Sequence, residues 1–393
     1  DKFLTKELIG ASAYHGYYEK QTALFDRLVS LFGNPDDASS LNNQIDRMFD
    51  AFATLATDPT QTPRRIGLLS DIQNVADSLD RYGRQILNLR SEADTQIVSE
   101  IATINNALAQ VHSLNNLISH EKETGGNPAA LEEQRARAIE KISDIVDIRA
   151  VEKTNHKVEI STISGLSLLD DRLRVLQYNP PGQVETTVVF NSITVHHIDS
   201  TTGLPSATGV ALEPNLRAGT LKGLVDTRDK ELPDVALSLG EMSSKFIDLI
   251  NQVHNENTAV PPPNTLTGRN VGALATDPHG FTGKMTFGIL DSNNILTSSY
   301  EIDFAAPGLV TLQDVITNVN GNITGGTLAL SNGVMSFDAT AGTDGVSLLQ
   351  NATTPSARGG RGFSHYFGMN DLLSGREVAH FDTGLTTASG HGF

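Results

Sequence analysis

Between Pro63 and His120 the apolar positions fall at coiled-coil spacing: Leu68, Ile72, Val75, Leu79, Tyr82, Ile86, Leu89 and Ala93 alternate steps of four and three. That spacing marks the seam of a helix packed at a shallow angle on another. From Ala93 the pattern runs to Ile97 and Ile101 in successive steps of four, and the alternation then resumes through Ile104, Leu108, Val111, Asn115 and Ile118. Such a stutter locally relaxes a left-handed supercoil, so the rod is expected to straighten or to change neighbours between Ala93 and Ile101. At ~1.5 Å per residue the rod would be roughly 85 Å long, which suits a building element better than a wall around a small pocket.

Shorter periodic segments flank the rod. Leu4, Leu8, Tyr14, Tyr17, Leu24, Leu28 and Leu31 predict one helix or two, weakened by Gly10 and Gly16 and stopped by Gly33-Asn34-Pro35. Ser40 is a good N-cap for a helix whose face holds Leu41, Ile45, Met48, Phe49, Phe52 and Leu55, ending at Asp58-Pro59. Thr62-Pro63 starts the rod and Gly125-Gly126 ends it. After Asn127-Pro128, Leu131, Arg135, Ala138, Ile142 and Ile145 step by four and three, a helix expected to fold back beside the rod.

Past Ala150 the period shortens. Val158 with Ile160, Leu166 to Leu169 and Arg172 to Leu176 predict short strands, and Thr186 to Ile198 is rich in β-branched residues before a loop from Thr201 to Pro205. Helical spacing returns in Leu221, Val225, Arg228, Leu232, Val235, Leu239, Met242, Phe246, Leu249 and Val253, where only Arg228 is not apolar. Pro233 lies inside this second seam. It removes a hydrogen bond and clashes with the preceding turn at about 3 kcal/mol, so a kink near Lys230 is expected. Pro261-Pro262-Pro263 then makes a stiff exit. Leu266 to Ala357 predicts a β-rich region with strands at Lys284 to Leu290, Tyr300 to Phe304, Thr327 to Leu330 and Val334 to Phe337, and one helix at Leu312 to Val319. The last part holds the compact aromatic stretch Phe363 to Ser374 and a Gly and Thr tail to Phe393.

The pattern therefore predicts an α+β protein: an elongated multi-helix bundle with long coiled-coil-like helices and small β hairpins, plus a separate β-rich domain. The expected division is 1–260 for the helical bundle, with β excursions at about 151–214, then 261–358 for the β-rich domain and 359–393 for a segment returning to pack on the helices. The length of 393 residues fits two or three domains. A formal charge of −17, with no basic stripe to offset it, argues against nucleic acid as a partner. The absence of cysteine excludes disulfides, thiolate zinc sites and a cysteine nucleophile. No apolar run approaches the ~20 residues needed to span a bilayer, and Asp1 to Lys20 lacks the layout of a signal peptide, so a soluble chain is expected. It begins without Met and inside a helical pattern, as a piece trimmed from a longer protein would.

Candidate chemistry is sparse. His196-His197 with Asp199 sit in a strand, where neighbours point to opposite faces, so the two rings cannot share a metal without a bulge. His112 and His120 are two turns apart on the rod and suit a solvated face. Asp291-Ser292-Asn293-Asn294 starts like a calcium loop but lacks the Gly and distal Glu, which leaves a turn. Gly280-Phe281-Thr282-Gly283-Lys284 is too short for a phosphate loop, Gly360-Arg361-Gly362 lacks the third glycine of a dinucleotide fingerprint, and no Gly-x-Ser-x-Gly elbow exists. Arg228-Asp229 is the sharpest polar feature. An arginine held by a carboxylate to fix helix register accounts for it better than catalysis, and Asn115 in the rod's seam reads the same way. Arg358 to Arg361, flanked by glycines, reads as a mobile hinge able to touch a neighbouring subunit. No catalytic, cofactor-binding or metal-binding residue is expected.

Four stretches also carry a family resemblance. Gly219-x-x-x-Gly223-Leu224, Arg228-Asp229, Leu232-Pro233 and Asn251-x-x-His254 resemble a helix of the flagellar hook-associated protein 1 family. Asp58-Pro59, Arg64-Arg65, Ile104-Asn105 and Leu114-Asn115 resemble its long helix; Asn127-Pro128 with Glu133-Gln134-Arg135 and the run Phe363 to Leu372 resemble two further segments in the same order. Glu132-Glu133, Ala136 and Asn255-Glu256-Asn257 depart from the family pattern. The resemblance implies a non-enzymatic structural subunit of the extracellular flagellar axis, at the junction of hook and filament. Implied partners are further copies of itself in a ring, hook protein and the next hook-filament junction protein. Export by the flagellar secretion apparatus, with a chaperone for a C-terminal end absent here, is implied too. So is the absence from this chain of the family's terminal helices, through which such subunits polymerise. Two alternatives stand beside it: hook protein or flagellin, and a glycan-binding or hydrolytic surface module carried by the β-rich region, for which Asp291, Glu301 and Asp303 supply carboxylates.

Overall fold

The structure, a computed structural model, describes residues 2–34, 36–185, 188–199 and 202–374, with side chains from residue 7 onward. The sequence readings for Thr186, Thr201 and the tail beyond Ser374 lie outside the described residues. The described chain divides into two compact units, one of residues 2–52 and Gly67–Leu239, the other of Ala53–Ile66 and 240–374.

In the first unit, α1 (Lys2–Phe32) is a single helix. Gly16 does not break it. A Cβ at Gly16 would come within 2.6 Å of the Asp144 carbonyl oxygen and 2.8 Å of the Thr220 hydroxyl, so the missing side chain allows a close approach of backbones at the usual helical penalty of about 1 kcal/mol. Helix α2 (Leu41–Thr57) starts after Ser40, whose hydroxyl accepts from the Asn43 amide at 3.3 Å. Helix α3 (Thr62–Thr124) runs 63 residues, about 95 Å at the α-helical rise. It ends at Gly125, whose φ of +78° suits glycine. Helix α4 (Ala129–Ile145) follows and shares one core with α3.

Two small antiparallel sheets complete this core. Strands β1 (Ile148–Glu152), β2 (Val158–Thr162) and β3 (Ser167–Leu169) form a meander. Strands β4 (Arg174–Gln177), β5 (Thr194–His197) and β6 (Val210–Ala211) form another. The rod holds both sheets by side-chain amides that imitate a peptide group. Asn115 donates to the Val158 carbonyl at 2.8 Å and accepts from its amide at 3.0 Å, and Asn105 does the same to Leu176 at 2.9 and 2.8 Å. Asn115 also accepts from Arg135 on α4 at 3.1 Å. The seam asparagine is thus a register device, and its partner is a strand as well as a helix.

The expected change of neighbours along α3 is present. Ile86 packs with Leu24, Leu28 and Leu232, whereas the core from Ile97 onward is built with α4 and the two sheets. The handover falls between Ile86 and Ile97, at the start of the stutter.

After a short turn at Glu213–Asn215, helix α5 (Thr220–Asp226) passes into a π turn (Thr227–Glu231) and then α6 (Leu232–Asn255). The seam predicted to continue unbroken to Val253 does not stay covered: Leu249 is 62% and Val253 61% exposed. Positions spaced at 3.5 residues drift by about 20° per heptad on a straight helix, and the wide π turn adds to the offset. The covered positions near the end of α6 are Ile250, Asn251 and Asn255 instead.

In the second unit, β7 (Thr265–Asn270), β8 (Lys284–Leu290), β9 (Leu296–Asp303), α7 (Leu312–Asn322), β10 (Gly326–Ser331), β11 (Val334–Ala339) and β12 (Gly345–Gln350) form two three-stranded antiparallel sheets, ordered β10-β11-β7 and β12-β8-β9. Thr311 and Asp314 form a capping box for α7. Phe287, Phe337 and Met335 fill the core, joined by Phe363 and Phe367 of α8 (Phe363–Phe367). Asn255 accepts from the Ser364 hydroxyl at 2.6 Å and the Asn370 amide at 2.9 Å, and Asn251 accepts from the Leu372 and Leu373 amides at 2.9 Å each.

Candidate functional site

The most unusual polar arrangement grows from Pro233. In the π turn the Leu232 amide bonds five residues back, to Thr227. The next residue in that register would bond to the Arg228 carbonyl, but it is proline and has no N–H. The freed carbonyl is taken by α3: Arg90 Nε donates to it at 3.0 Å. The expected kink is therefore realised as a π turn whose orphan carbonyl is capped from the neighbouring rod.

Arg228 itself is 1% exposed. One of its terminal nitrogens donates to Asp94 and to the Tyr178 hydroxyl, both at 2.9 Å, while Nε and the other terminal nitrogen donate to Asp229 at 2.9 and 2.8 Å. The Tyr178 hydroxyl also donates to Asp94. Phe190 lies between two guanidinium groups, 4.1 Å from that of Arg228 and 4.7 Å from that of Arg90. Burial opposes the Arg228 charge, yet Asp229, Tyr178 and Asp94 outweigh it and hold the guanidinium above its ordinary range. Burial lowers Arg90 and raises the Tyr178 phenol, the latter helped by its bond to Asp94. Two cations, one buried carboxylate and a half-buried second one thus pin α3, β4 and its following loop onto the π turn.

This network joins α3, the segment after β4 and the π turn, and it fixes a helix joint. The sequence pointed to Arg228 and Asp229 but missed Arg90, Asp94, Tyr178 and Phe190. Arg90 and Asp94 each lie one residue past a seam position, an opposite-charge pair at i, i+4, which was the available signal.

The other candidates lie elsewhere. His196 is buried, with its ring nitrogens 2.8 Å from the Thr194 hydroxyl and 2.7 Å from the Ser206 carbonyl, while His197 is exposed on the opposite face. His112 and His120 are spread along α3. Among the described residues no three His, Asp or Glu cluster as a metal site. Asp291 caps the β8–β9 turn, accepting from the amides of Asn293 and Ile295 at 2.8 and 2.9 Å. Glu301 and Asp303 stand at the far end of the same hairpin, beside Lys284, roughly 20 Å from Asp291 by strand rise. Glycosidase carboxylates face each other across about 5–9.5 Å, so Asp291 cannot pair with either of the other two, while Glu301 and Asp303 lie side by side on one face of β9, both against Lys284. Phe281 between Gly280 and Gly283 packs in the aromatic core, not around a phosphate. The Arg358–Arg361 segment is not a loose hinge. Arg358 and Arg361 exchange backbone hydrogen bonds at 2.8 and 3.1 Å across Gly359 and Gly360, whose φ angles of +59° and +83° make a tight hairpin turn. Arg361 pairs with Asp248 at 3.0 Å, and the Arg358 guanidinium lies 4.5 Å from the Tyr366 ring centre. No described helix is long and apolar enough to cross a membrane.

Long helices, sheets held to a rod by asparagine clamps and a buried joint make up the first unit. The chain belongs to the family of the flagellar hook-associated protein FlgK helical domain, whose family model matches residues 25–268. It is 24% identical over 320 residues to flagellar hook-associated protein 1 of Salmonella typhimurium, covering 77% of this chain and 54% of that protein. To the protein of the same name from Bacillus subtilis it is 23% identical over 256 residues, covering 61% of this chain and 50% of the relative; for Escherichia coli the figures are 24% over 362 residues, 86% and 60%. The chain thus spans about half the length of these relatives. The solved flagellar hook junction protein FlgK from Burkholderia pseudomallei has the same fold, with a TM-score of 0.56, 16% identity, and coverage of 93% of this chain and 66% of that one.

Proposed function

We propose that this chain is the core of a structural, non-enzymatic subunit of the bacterial flagellar axis, at the junction of hook and filament. Family membership over residues 25–268 carries the reading. The joint at Arg228 supports it, because two buried arginines stiffen a long helical body without supplying chemistry. In this reading 1–260 is the helical part that carries load along the tube, 261–358 is the β-rich part turned outward, and 359–393 returns to the helices. Partners are further copies of the subunit, hook protein on one side and the next junction protein on the other. The subunit is exported to the extracellular flagellum without a cleaved signal peptide, with a chaperone acting on a C-terminal end outside this chain. Deleting the gene for the full-length protein tests this. The expected phenotype is cells bearing hooks without filaments and shedding flagellin into the medium; normal filaments on that strain would reject the assignment.

A further inference from the structure

A lysine, an asparagine and a glutamate meet on the solvent-facing side of the β12-β8-β9 sheet. The strand register brings them together. Gln350 pairs with Met285, so the next residue, Asn351, comes beside Lys284, and its amide reaches the Lys284 carbonyl at 3.4 Å. Across the other edge of β8, Lys284 pairs with Asp303 and Thr286 with Glu301. Glu301 links the set: one carboxylate oxygen accepts from Asn351 Nδ2 at 2.8 Å, and the other lies 3.8 Å from Lys284 Nζ. Asp303 lies 3.6 Å from the same nitrogen. The Asn351 side-chain oxygen is held as well. It accepts from the amides of Thr353 and Thr354 at 2.9 Å each and from the Thr354 hydroxyl at 3.3 Å. An asparagine needs only its oxygen to cap a turn; here its nitrogen is bound too, to a carboxylate that also faces an amine.

We propose that Lys284 and Asn351 react with each other to form an amide crosslink between β8 and the end of β12, with Glu301 moving the protons. Glu301 takes one proton from the Lys284 ammonium, and the amine lone pair adds to Asn351 Cγ. A second amine proton passes through the carboxylate to Nδ2. The Cγ–Nδ2 bond then breaks, and the departing ammonia carries off as ammonium the proton left on Glu301. An Nζ–Cγ amide bond remains, and no oxidant or activated donor is consumed. The three donors around the Asn351 oxygen are already placed where negative charge develops on it during the addition. The lysine and glutamate side chains are 38% and 43% exposed, so water keeps the amine protonated and the reaction slow. Its rate should therefore rise with pH. The product is a staple: β12 is an edge strand, and the bond holds it to the central strand of its sheet.

Intact-mass spectrometry of the purified protein, fresh and after days at neutral and at mildly alkaline pH, tests this. A species lighter by about 17 Da, the mass of the ammonia lost, should accumulate, faster at the higher pH. Digestion should then yield a branched peptide joining Lys284 to Asn351, which separates the crosslink from a cyclic imide of the same mass at Asn351. Lys284→Arg keeps a cation beside Glu301 but supplies no attacking amine, so it should retain full mass. Glu301→Gln should slow the loss about a hundredfold, the usual share of a positioned proton carrier. Circular dichroism verifies that both variants fold. Full mass throughout at both pH values, or a lighter species without the branched peptide, would overturn the proposal. So would crosslinking of Glu301→Gln at the parent rate, or a gain of about 1 Da at Asn351, from water attacking in place of the lysine, as the sole change. The crosslink does not depend on the flagellar reading, and its failure leaves that assignment standing.

Discussion

Replacing Arg228 with Met keeps most of the stem and removes the charge, so it isolates what the guanidinium does in the joint. Four hydrogen bonds disappear. The two to Asp229 end on a side chain that is 37% exposed, where water replaces them at small cost. Asp94 is different. Its side chain is 6% exposed and is left with the Tyr178 hydroxyl. Stripping the cation from a buried carboxylate costs about 3–5 kcal/mol, and losing the contact with Phe190 adds about 1 kcal/mol. A loss near 4 kcal/mol is expected for the unit holding the joint. Adding Asp94→Leu removes the orphan charge, and apolar replacement of both members of a buried pair is close to neutral, so the double variant should recover most of the loss. Urea unfolding followed by circular dichroism measures the change. Hydrogen exchange in the peptide spanning Thr227–Glu231 assigns it to the joint. A single variant within about 1 kcal/mol of the parent, or a double variant no more stable than the single one, refutes the reasoning.

Arg90→Met leaves the Arg228 carbonyl buried without a donor; it should cost about 1–3 kcal/mol and speed exchange at the π turn, whereas Arg228→Lys should not free that carbonyl. Asn105→Ala and Asn115→Ala each lose a two-bond clamp on a strand, and at about 15 Å apart their losses should add in a double variant measured by urea unfolding. His365 is held below its ordinary value of 6.5, chiefly by burial, with Asp248 opposing from 3.1 Å away without forming a hydrogen bond. The unfolded chain then takes up the proton first as pH falls, so the second unit keeps this contribution above about pH 6.5 and loses it below; His365→Gln should flatten the pH dependence of its unfolding midpoint. The Tyr178 phenol is raised above 10.0 by burial and its bond to Asp94. Its contribution is full below that value and lost as pH rises through the folded value, which Tyr178→Phe should abolish in an alkaline stability series.

The helices were legible because each buries one face along its length, so Leu68 to Ile118 on α3 repeats often enough to be read without a partner. The asparagine clamp was half legible. Asn115 stood out as a polar residue in an apolar seam, but its partner Val158 is 43 residues away, and no local pattern encodes that pairing. The joint was legible only at Arg228 and Asp229, since Asp94 and Arg90 look like ordinary rod surface until the π turn is packed on them. Strand β1 was missed because it follows α4 after two residues, with Ile148 as its one buried side chain. Strand β12 was missed for the opposite reason: it is buried on both faces and shows no alternation. The bare seam at the end of α6 differs from the sequence reading through small angular offsets that accumulate along a straight helix.

The most direct test of the central claim is the position of the subunit on the flagellum. Gold-labelled antibody against this chain, viewed by electron microscopy on intact flagella, should mark one narrow band where hook meets filament. Label spread along the filament or the hook, or confined to the cell surface, would contradict the account.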